Sequence, residues 1–265
     1  MSKDPQYPEH FVKRLEIVWG EGFLSPGGPA EVREIVSGID LAGKSLLDIG
    51  CGLGGPSIVL AREMGVARCI AIDVEPSLLQ RATEYANKAG LANQIEFRLV
   101  EPGPLPFAEH IFDVVFSKDA LIHFADKQAI YAEILRVLHP GGAFLASDWL
   151  GGDNTATAPE WKRFRELGHL DFTMATAAET HAVMTAAGFE NVSTRDRNAW
   201  YAQLSRFDLD QVKGPMRDKL IDAAGEEIYL HWLQVRQALT DAVAVGALRP
   251  THLRGFRPHQ LRKAA

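Results

Sequence analysis

Three glycines at alternate positions, Gly50, Gly52 and Gly54, lie within the decapeptide LLDIGCGLGG (46–55). The apolar run before them predicts a buried strand, and the sequence after them predicts a helix. Glycine has no Cβ, so backbone at such a turn can approach a ligand closely, and a helix N-terminus favours an anion such as a phosphate. The segment predicts a loop that binds a nucleotide-like ligand. The alternative is a tight turn without a ligand.

The acidic residue Asp48, two positions before the first glycine, favours one class of ligand. A dinucleotide-binding loop has the spacing G-x-G-x-x-G, whereas this loop has G-x-G-x-G. A carboxylate here would repel a pyrophosphate but would attract a cation, such as the amino group of S-adenosylmethionine (SAM). We therefore interpret the loop as a SAM site, with a nicotinamide dehydrogenase as the alternative.

Two more acidic residues follow predicted strands. Asp73 lies near the end of ARCIAIDV (67–74), where a carboxylate can accept hydrogen bonds from both ribose hydroxyls of a nucleoside. Its alternative role is to cap the next helix. Glu101 follows NQIEFRLV (93–100) and could accept from an adenine amino group, or it could be a solvated loop residue. We assign both carboxylates to cofactor binding.

Strand and helix patterns alternate through the middle of the chain and would position these residues. Strands are predicted at 44–50, 67–74, 93–100, 112–117 and 142–150, and helices at 55–65, 75–90 and 126–142. The last helix should begin at an Asp126 cap and stop at Pro140. Apolar strands joined by helices predict a doubly wound α/β sheet with ligands at the carboxyl ends of its strands.

Segments outside this core complete a predicted seven-stranded, mostly parallel sheet. Candidate strands lie at 191–196 and 248–258, and most of 151–246 has a helical pattern. We therefore expect three parts: N-terminal lid helices (1–40), a cofactor-binding Rossmann-like core (41–150), and a segment that completes the sheet and adds a helical substrate cap (151–265).

Composition narrows the classes of function. The chain has 265 residues, a formal net charge of −6 and no block of like charges, which argues against a surface that coats nucleic acid. It has no apolar window of the roughly 18 residues that a membrane span needs, and its first ten residues lack a hydrophobic signal region. Cys51 and Cys69 lack metal-site spacing and are expected to be reduced and packed. We expect a cytoplasmic protein with a small-molecule partner, and no metal, membrane or nucleic acid.

Residues 44–150 resemble the class I SAM-dependent methyltransferases, which have a Rossmann-like core. The resemblance rests on four segments in that family's order and spacing: LLDIGCGLGG, AIDVEPSLL, LPFAEHIFDVVFSKDALIHF and ILRVLHPGGAFLASDWL. It implies SAM as the methyl donor, S-adenosylhomocysteine as the product and no metal. It also implies that Val74 and Ser117 belong to the cofactor site.

A narrower resemblance includes the N-terminus. The segments QYPEHFVKRLEIVWGEGFLSPGG (6–28) and SKDALIHF (117–124) are similar to the phosphoethanolamine N-methyltransferases. That family implies a lid formed by Gln6 and Tyr7, with the tyrosine paired to His123. It further implies that Ser25 touches SAM and that Asp119 holds the substrate amine. His123 is suited to act as a base near neutral pH, which an amine acceptor needs because its protonated form has no lone pair.

The phosphate pocket of that family is not matched. Trp149 and Phe172 stand where tyrosines are expected, and Leu170 stands where an arginine is expected, so hydroxyl donors and a bidentate clamp are lost. We predict Gln6, Trp149 and Phe172 as substrate-binding residues for a small amine or amino acid. The alternatives are S- or O-methylation of a small metabolite, true phosphoethanolamine methylation, and a SAM-binding module without catalysis.

Overall fold

The structure, a computed structural model, describes residues 7–170 and 174–259. The strands are β1 (Ser45–Ile49), β2 (Arg68–Asp73), β3 (Ile95–Leu99), β4 (Phe112–Lys118), β5 (Leu138–Gly151), β6 (Glu190–Asp196) and β7 (Leu248–Phe256). The α-helices are α1 (Glu9–Trp19), α2 (Gly28–Val36), α3 (Gly55–Glu63), α4 (Pro76–Lys88), α5 (Lys127–Val137), α6 (Pro159–Gly168), α7 (Ala177–Ala187), α8 (Asn198–Lys213), α9 (Arg217–Ala224) and α10 (Glu226–Ala244), and a short 3-10 helix spans Leu121–His123.

The strands form a single sheet in the order β3-β2-β1-β4-β5-β7-β6. Strands β1 to β5 pair in parallel, whereas β7 pairs antiparallel with both β5 and β6. Apolar side chains cover both faces of the central strands: Leu46 belongs to the core cluster on one face and Leu47 to the cluster on the other. Burial on both faces is what continuous apolar strands require. The predicted doubly wound, mostly parallel seven-stranded sheet is confirmed.

Helix α5 ends earlier than the sequence predicts. Its start agrees, because the Asp126 side chain accepts a hydrogen bond from the backbone N–H of Ala129 at 2.9 Å. It ends at Val137, however, and the chain enters β5 at Leu138, which pairs with Phe112 of β4. Pro140 therefore lies at the beginning of a strand. Pairing with β4 ends the helix before the proline can do so.

The N-terminal helix and the helices between β6 and β7 are joined by a buried polar contact. The indole Nε1 of Trp19, the last residue of α1, donates to Asp208 of α8 at 2.9 Å. Asp208 also accepts from Arg236 of α10 at 3.2 Å. The predicted lid and cap segments are therefore in contact with each other. Within residues 7–170 and 174–259, no helix combines the length and apolar character needed to cross a membrane.

A second buried ion cluster ties α2 to the antiparallel edge of the sheet. Glu31 is 3% exposed and accepts from Arg197 at 3.0 and 2.7 Å and from Nε2 of His252 at 2.6 Å. Burial alone would raise the pKa of Glu31, but the hydrogen bonds from His252 and Arg197 outweigh it and lower the pKa to about 2. The carboxylate is therefore charged in the folded protein at neutral pH.

We expect Glu31→Gln to lower the free energy of unfolding by about 3–5 kcal/mol, because it removes the negative charge that balances the largely buried Arg197 guanidinium. Glu34→Gln is the matched control on the same helix, since Glu34 is half exposed in its pair with Arg195 and should change stability little. Urea unfolding at pH 7 measures both. Because the folded pKa is depressed, the contribution of Glu31 is present above about pH 4.5 and is lost as the pH falls toward 2. Equal losses in the two variants would contradict this account.

Candidate active site

A cleft of about 460 Å³ opens at the carboxyl ends of the central strands. Its walls come from the loops after β1, β2, β3 and β4, together with the segment between α1 and α2. Strands β2 and β4 lie on opposite sides of β1 in the sheet. The cleft therefore lies where the order of the parallel strands reverses. Open α/β sheets bind their ligands at this position.

The glycine loop forms the floor of the cleft. Gly50 has a φ of +71°, and a Cβ built on it would lie 2.3 Å from Cβ of Ala120. The amide of Gly52 donates to Oδ2 of Asp73 at 2.8 Å, which holds the loop against the end of β2. Gly54 has a different role, because it precedes α3 with a φ of +78°, and a Cβ there would lie 2.8 Å from the Phe97 ring. Gly54 lets α3 approach β3 and does not line the cleft.

Asp73 presents a carboxylate to the cleft beside this loop. Its Oδ1 accepts from the backbone amides of Val74 at 2.8 Å and Glu75 at 3.0 Å, while among the described residues Oδ2 accepts only from Gly52. Burial raises the pKa of Asp73, and these amide hydrogen bonds partly offset that effect. A carboxylate oxygen with one donor can accept another, so Oδ2 can take a ligand hydroxyl. Glu101 lies on the same wall.

Asp48 lies beneath the glycine loop and does not line the cleft. It is 1% exposed, and its side chain points to α3, where the Ser57 hydroxyl donates to it at 2.5 Å. Burial, with a smaller contribution from the negative charge of Asp73, raises the pKa of Asp48 to about 7. Ser117 is also turned away from the cleft, since its hydroxyl donates to the carbonyl of Ile49 at 2.9 Å. Neither side chain lines the cleft, and their expected contact with a cofactor stays a prediction.

Tyr7 and His123 also line the cleft, and both lie near enough to Asp73 for its charge to act on them. His123 ends the 3-10 helix, whose Ile122 amide donates to buried Asp148 at 3.0 Å. Burial, and then the positive charge of Lys127, lower the pKa of His123, so the imidazole is neutral at pH 7. Burial raises the pKa of Tyr7 to about 12, so its phenol keeps its proton. The pair therefore supplies a neutral base and a neutral donor.

Asp119 is held by a lysine that the sequence analysis missed. Asp119 has a φ of +57° and accepts from the Ser147 hydroxyl at 2.8 Å and from Lys118 Nζ at 2.7 Å. The same ammonium donates to Ser25 Oγ at 2.6 Å and to the carbonyl of Pro26 at 2.9 Å. These three acceptors match the three donors of a lysine. The sequence did offer a signal for this lysine, because a charged residue at the end of the buried strand FDVVFSK needs a partner.

We expect Lys118→Met to lower the free energy of unfolding by about 3–5 kcal/mol, because it leaves the Asp119 carboxylate, whose side chain is 8% exposed, as an unpaired buried charge. The double variant Lys118→Met with Asp119→Asn removes both charges and should recover most of that loss. Urea unfolding measures the three proteins. A double variant no more stable than Lys118→Met would contradict the pairing.

Not every predicted residue reaches the cleft. Trp149 packs instead against Tyr201 in the helical cap, with ring centroids 6.1 Å apart. Gln6 and Phe172 lie outside the described residues. No group of three or more His, Cys, Asp or Glu side chains in the described part of the chain could hold a metal ion. Nine of the predicted residues line the cleft: Tyr7, Ser25, Gly50, Gly52, Asp73, Val74, Glu101, Asp119 and His123.

Comparison with known proteins shows the family to which the chain belongs. Residues 40–208 match the family model described as a methyltransferase domain. The chain is 29% identical over 225 residues to phosphoethanolamine N-methyltransferase 1 of Arabidopsis thaliana, covering 84% of this chain and 44% of that protein. It is also 29% identical over 202 residues to the phosphoethanolamine N-methyltransferase of Plasmodium falciparum, covering 75% of this chain and 74% of that protein.

A solved structure shares the fold. Phosphoethanolamine N-methyltransferase 2 of Haemonchus contortus, in complex with phosphomonomethylethanolamine and S-adenosylhomocysteine, superposes with a TM-score of 0.87 at 20% identity, covering 96% of this chain and 59% of that one. The chain spans less than half of the Arabidopsis relative, so that protein's whole activity is not carried over. The family match covers more than half of this chain. The chain therefore belongs to the methyltransferase domain family, among the class I enzymes that depend on SAM.

Proposed function

We propose that the cleft binds SAM and that the protein transfers its methyl group to the nitrogen of a small amine or amino acid. One observation carries the proposal: a single cleft is lined by the glycine loop and Asp73 and also by Tyr7, Asp119 and His123. The first group of residues suits a nucleoside, and the second suits a nucleophile that must lose a proton.

The donor end offers groups that fit each part of SAM. Oδ2 of Asp73 can accept from a ribose hydroxyl, and Glu101 can accept from the adenine amino group. Ser25 accepts from Lys118, so its own O–H remains available to a carboxylate in the cleft. Asp48 lies below the loop, where it accepts a hydrogen bond from Ser57, so it would support the loop and not contact SAM directly. When bound, SAM supplies a methyl group on a positively charged sulfur, which keeps the C–S electron pair and leaves as a thioether.

The acceptor end supplies the steps that an amine needs. Asp119 binds the ammonium form, since each of its oxygens accepts one donor from the described part of the chain and can take another. His123 then takes a proton from nitrogen, which frees the lone pair for the new N–C bond. Tyr7 packs with Leu53 and Leu78 at the wall of the cleft, where its ring would keep water from the reacting groups. Alignment of the amine lone pair with the methyl–sulfur bond, and exclusion of water from the site, then contribute further to the rate.

Phosphoethanolamine, the acceptor named for the relatives, is a weaker candidate for this chain. Leu170 replaces the arginine that would clamp a phosphate, and Trp149 packs in the cap core. A phosphate dianion desolvated without enough partners is costly. An S- or O-methyl acceptor is the second candidate, because a thioether needs no base.

An acceptor screen with radiolabelled SAM tests the proposal. The panel contains ethanolamine, phosphoethanolamine, glycine, sarcosine, methionine and small carboxylic acids. We expect label transfer to an amine or amino acid, with mass spectrometry placing the methyl group on nitrogen. Strong turnover of phosphoethanolamine would overturn the interpretation of the phosphate pocket, and label found on sulfur or oxygen would overturn the choice of nitrogen.

A further inference from the structure

A buried arginine in the cap has donors left over. Arg236 of α10 is 3% exposed and lies between the rings of Trp19 and Trp232, at 5.3 and 5.8 Å from their centroids. Its side chain donates to Asp208 at 3.2 Å, and its Nε is buried with no hydrogen-bond partner among the described residues. A guanidinium has five N–H donors. Leaving one unpaired in the interior costs free energy unless an outside group accepts it.

A second unpaired donor lies beside it. Tyr201 of α8 is fully buried, and no group in the described part of the chain accepts a hydrogen bond from its hydroxyl. Burial raises the pKa of this phenol well above its usual value; the charge of Arg236 and its hydrogen bonding to the phenol oxygen oppose the rise, while Asp208 and Asp119 add to it. The hydroxyl therefore keeps its proton and remains a donor. Two buried donors of different chemistry thus share one place in the cap.

Tyr201 and Arg236 do not line the cleft themselves, but contacts connect them to Asp119, which does. Tyr201 packs against Trp149, which lies on β5 two residues after Ser147, and the Ser147 hydroxyl donates to Asp119. Side chains two residues apart on a strand point to the same face of the sheet. Asp119 is also near enough for its charge to act on the Tyr201 hydroxyl. An acceptor with its nitrogen at Asp119 would extend its other end toward Tyr201 and Arg236.

We propose that the Tyr201 hydroxyl and the Arg236 guanidinium bind a carboxylate of the methyl acceptor, so that the substrate class is an amino acid or another amine that carries a carboxylate. This inference rests on the proposed function, because it places the acceptor nitrogen at Asp119 and His123. Hydrogen bonds from a guanidinium and a phenol to a carboxylate are charge-assisted and hold its orientation.

The local charges favour a carboxylate over a phosphate. Lys118 and Asp119 form one ion pair, and Arg236 and Asp208 form another. The charges of the two pairs sum to zero, so a bound zwitterion with one ammonium and one carboxylate leaves the net charge of the four residues and the ligand at zero. A phosphate ester of the same amine would add an uncompensated negative charge in a buried place, which is unfavourable.

The test compares acceptors that differ in one group: sarcosine, N-methylethanolamine and phosphomonomethylethanolamine. We expect the wild type to prefer sarcosine in kcat/KM, and Tyr201→Phe to raise KM for sarcosine at least about tenfold, as loss of a hydrogen bond to a charged group predicts. The dissociation constant for SAM should not change. Tyr229→Phe is the matched control, since that buried cap hydroxyl donates to the carbonyl of Val212 at 3.1 Å and should leave KM unchanged.

A binding measurement separates this inference from the proposed function. Calorimetry of sarcosine with the S-adenosylhomocysteine complex needs no methyl transfer. Weaker binding in Tyr201→Phe but not in Tyr229→Phe supports the carboxylate site even if sarcosine is not methylated. Equal sarcosine affinity in wild type, Tyr201→Phe and Arg236→Gln would overturn it, and would mean that water satisfies these donors. Circular dichroism establishes whether Arg236→Gln folds. If that variant does not fold, Tyr201→Phe alone tests the carboxylate site, because it keeps the ion pair between Arg236 and Asp208.

Discussion

Asp73→Asn is expected to weaken SAM binding by about 10²-fold or more. The substitution removes the charge that would accept ribose hydroxyls, and hydrogen bonds to charged groups contribute about 1.5–3 kcal/mol each. It also replaces one carboxylate oxygen with an NH2 group, so the side chain can no longer accept from the Gly52 amide and from the Val74 and Glu75 amides at the same time. Ligand binding and loop geometry are therefore lost together.

Isothermal titration of SAM measures this effect. Asp113→Asn is the matched control, because Asp113 also accepts from a backbone amide, that of Ser45 at 2.9 Å, near the start of β4. That position is at the opposite end of the strand from the cleft, so the control should bind SAM as the wild type does. Unchanged affinity in Asp73→Asn, or tighter binding of NAD than of SAM by the wild type, would contradict the assignment of the cleft.

His123→Ala is expected to lower kcat for an amine acceptor by about 10²–10⁴-fold, the usual contribution of a positioned base. SAM affinity should change little, because His123 lies at the acceptor end of the cleft. His181→Ala, on the exposed surface of α7, is the control. A loss below tenfold with an amine, with the control unchanged, would show that His123 is not the base.

The pH dependence gives an independent check on the same residue. Burial lowers the pKa of His123 below its ordinary value of 6.5, so the imidazole is neutral, and able to accept a proton, down to a lower pH than a free histidine. In a plot of rate against pH, the rate with an amine should rise as the pH passes through this lowered pKa. That rising limb should be absent in His123→Ala. A thioether acceptor needs no proton removal, so its rate should lack the limb in both proteins.

Much of the donor end could be predicted from the sequence, because its signals are local. The glycine loop, Asp73 and the strands before them lie within about thirty residues, and local patterns define strands, caps and turns. The Asp126 cap was likewise predictable from its own segment. The glycine spacing indicated a turn of close backbone approach, and Gly50, Gly52 and Gly54 all have positive φ angles, although the third serves helix packing.

The acceptor end depends on contacts between distant parts of the chain, which sequence patterns do not reveal. Lys118 meets Ser25 across 93 positions, and Trp19 meets Asp208 across 189. The unpaired donors of Arg236 and Tyr201 become apparent only when α8 and α10 pack together. Asp48 is the converse case: its place in the motif predicts a ligand contact, and the structure adds a hydrogen bond from Ser57 that the motif does not indicate.

The most direct test of nitrogen methylation is a competition between acceptors. The protein is given SAM with a ¹³C-labelled methyl group and equal concentrations of sarcosine and methionine, and NMR distinguishes methyl carbons bonded to nitrogen, sulfur and oxygen. We predict an N-methyl product that becomes negligible in His123→Ala. A sulfonium or methyl ester as the main product, formed equally well by His123→Ala, would contradict the account.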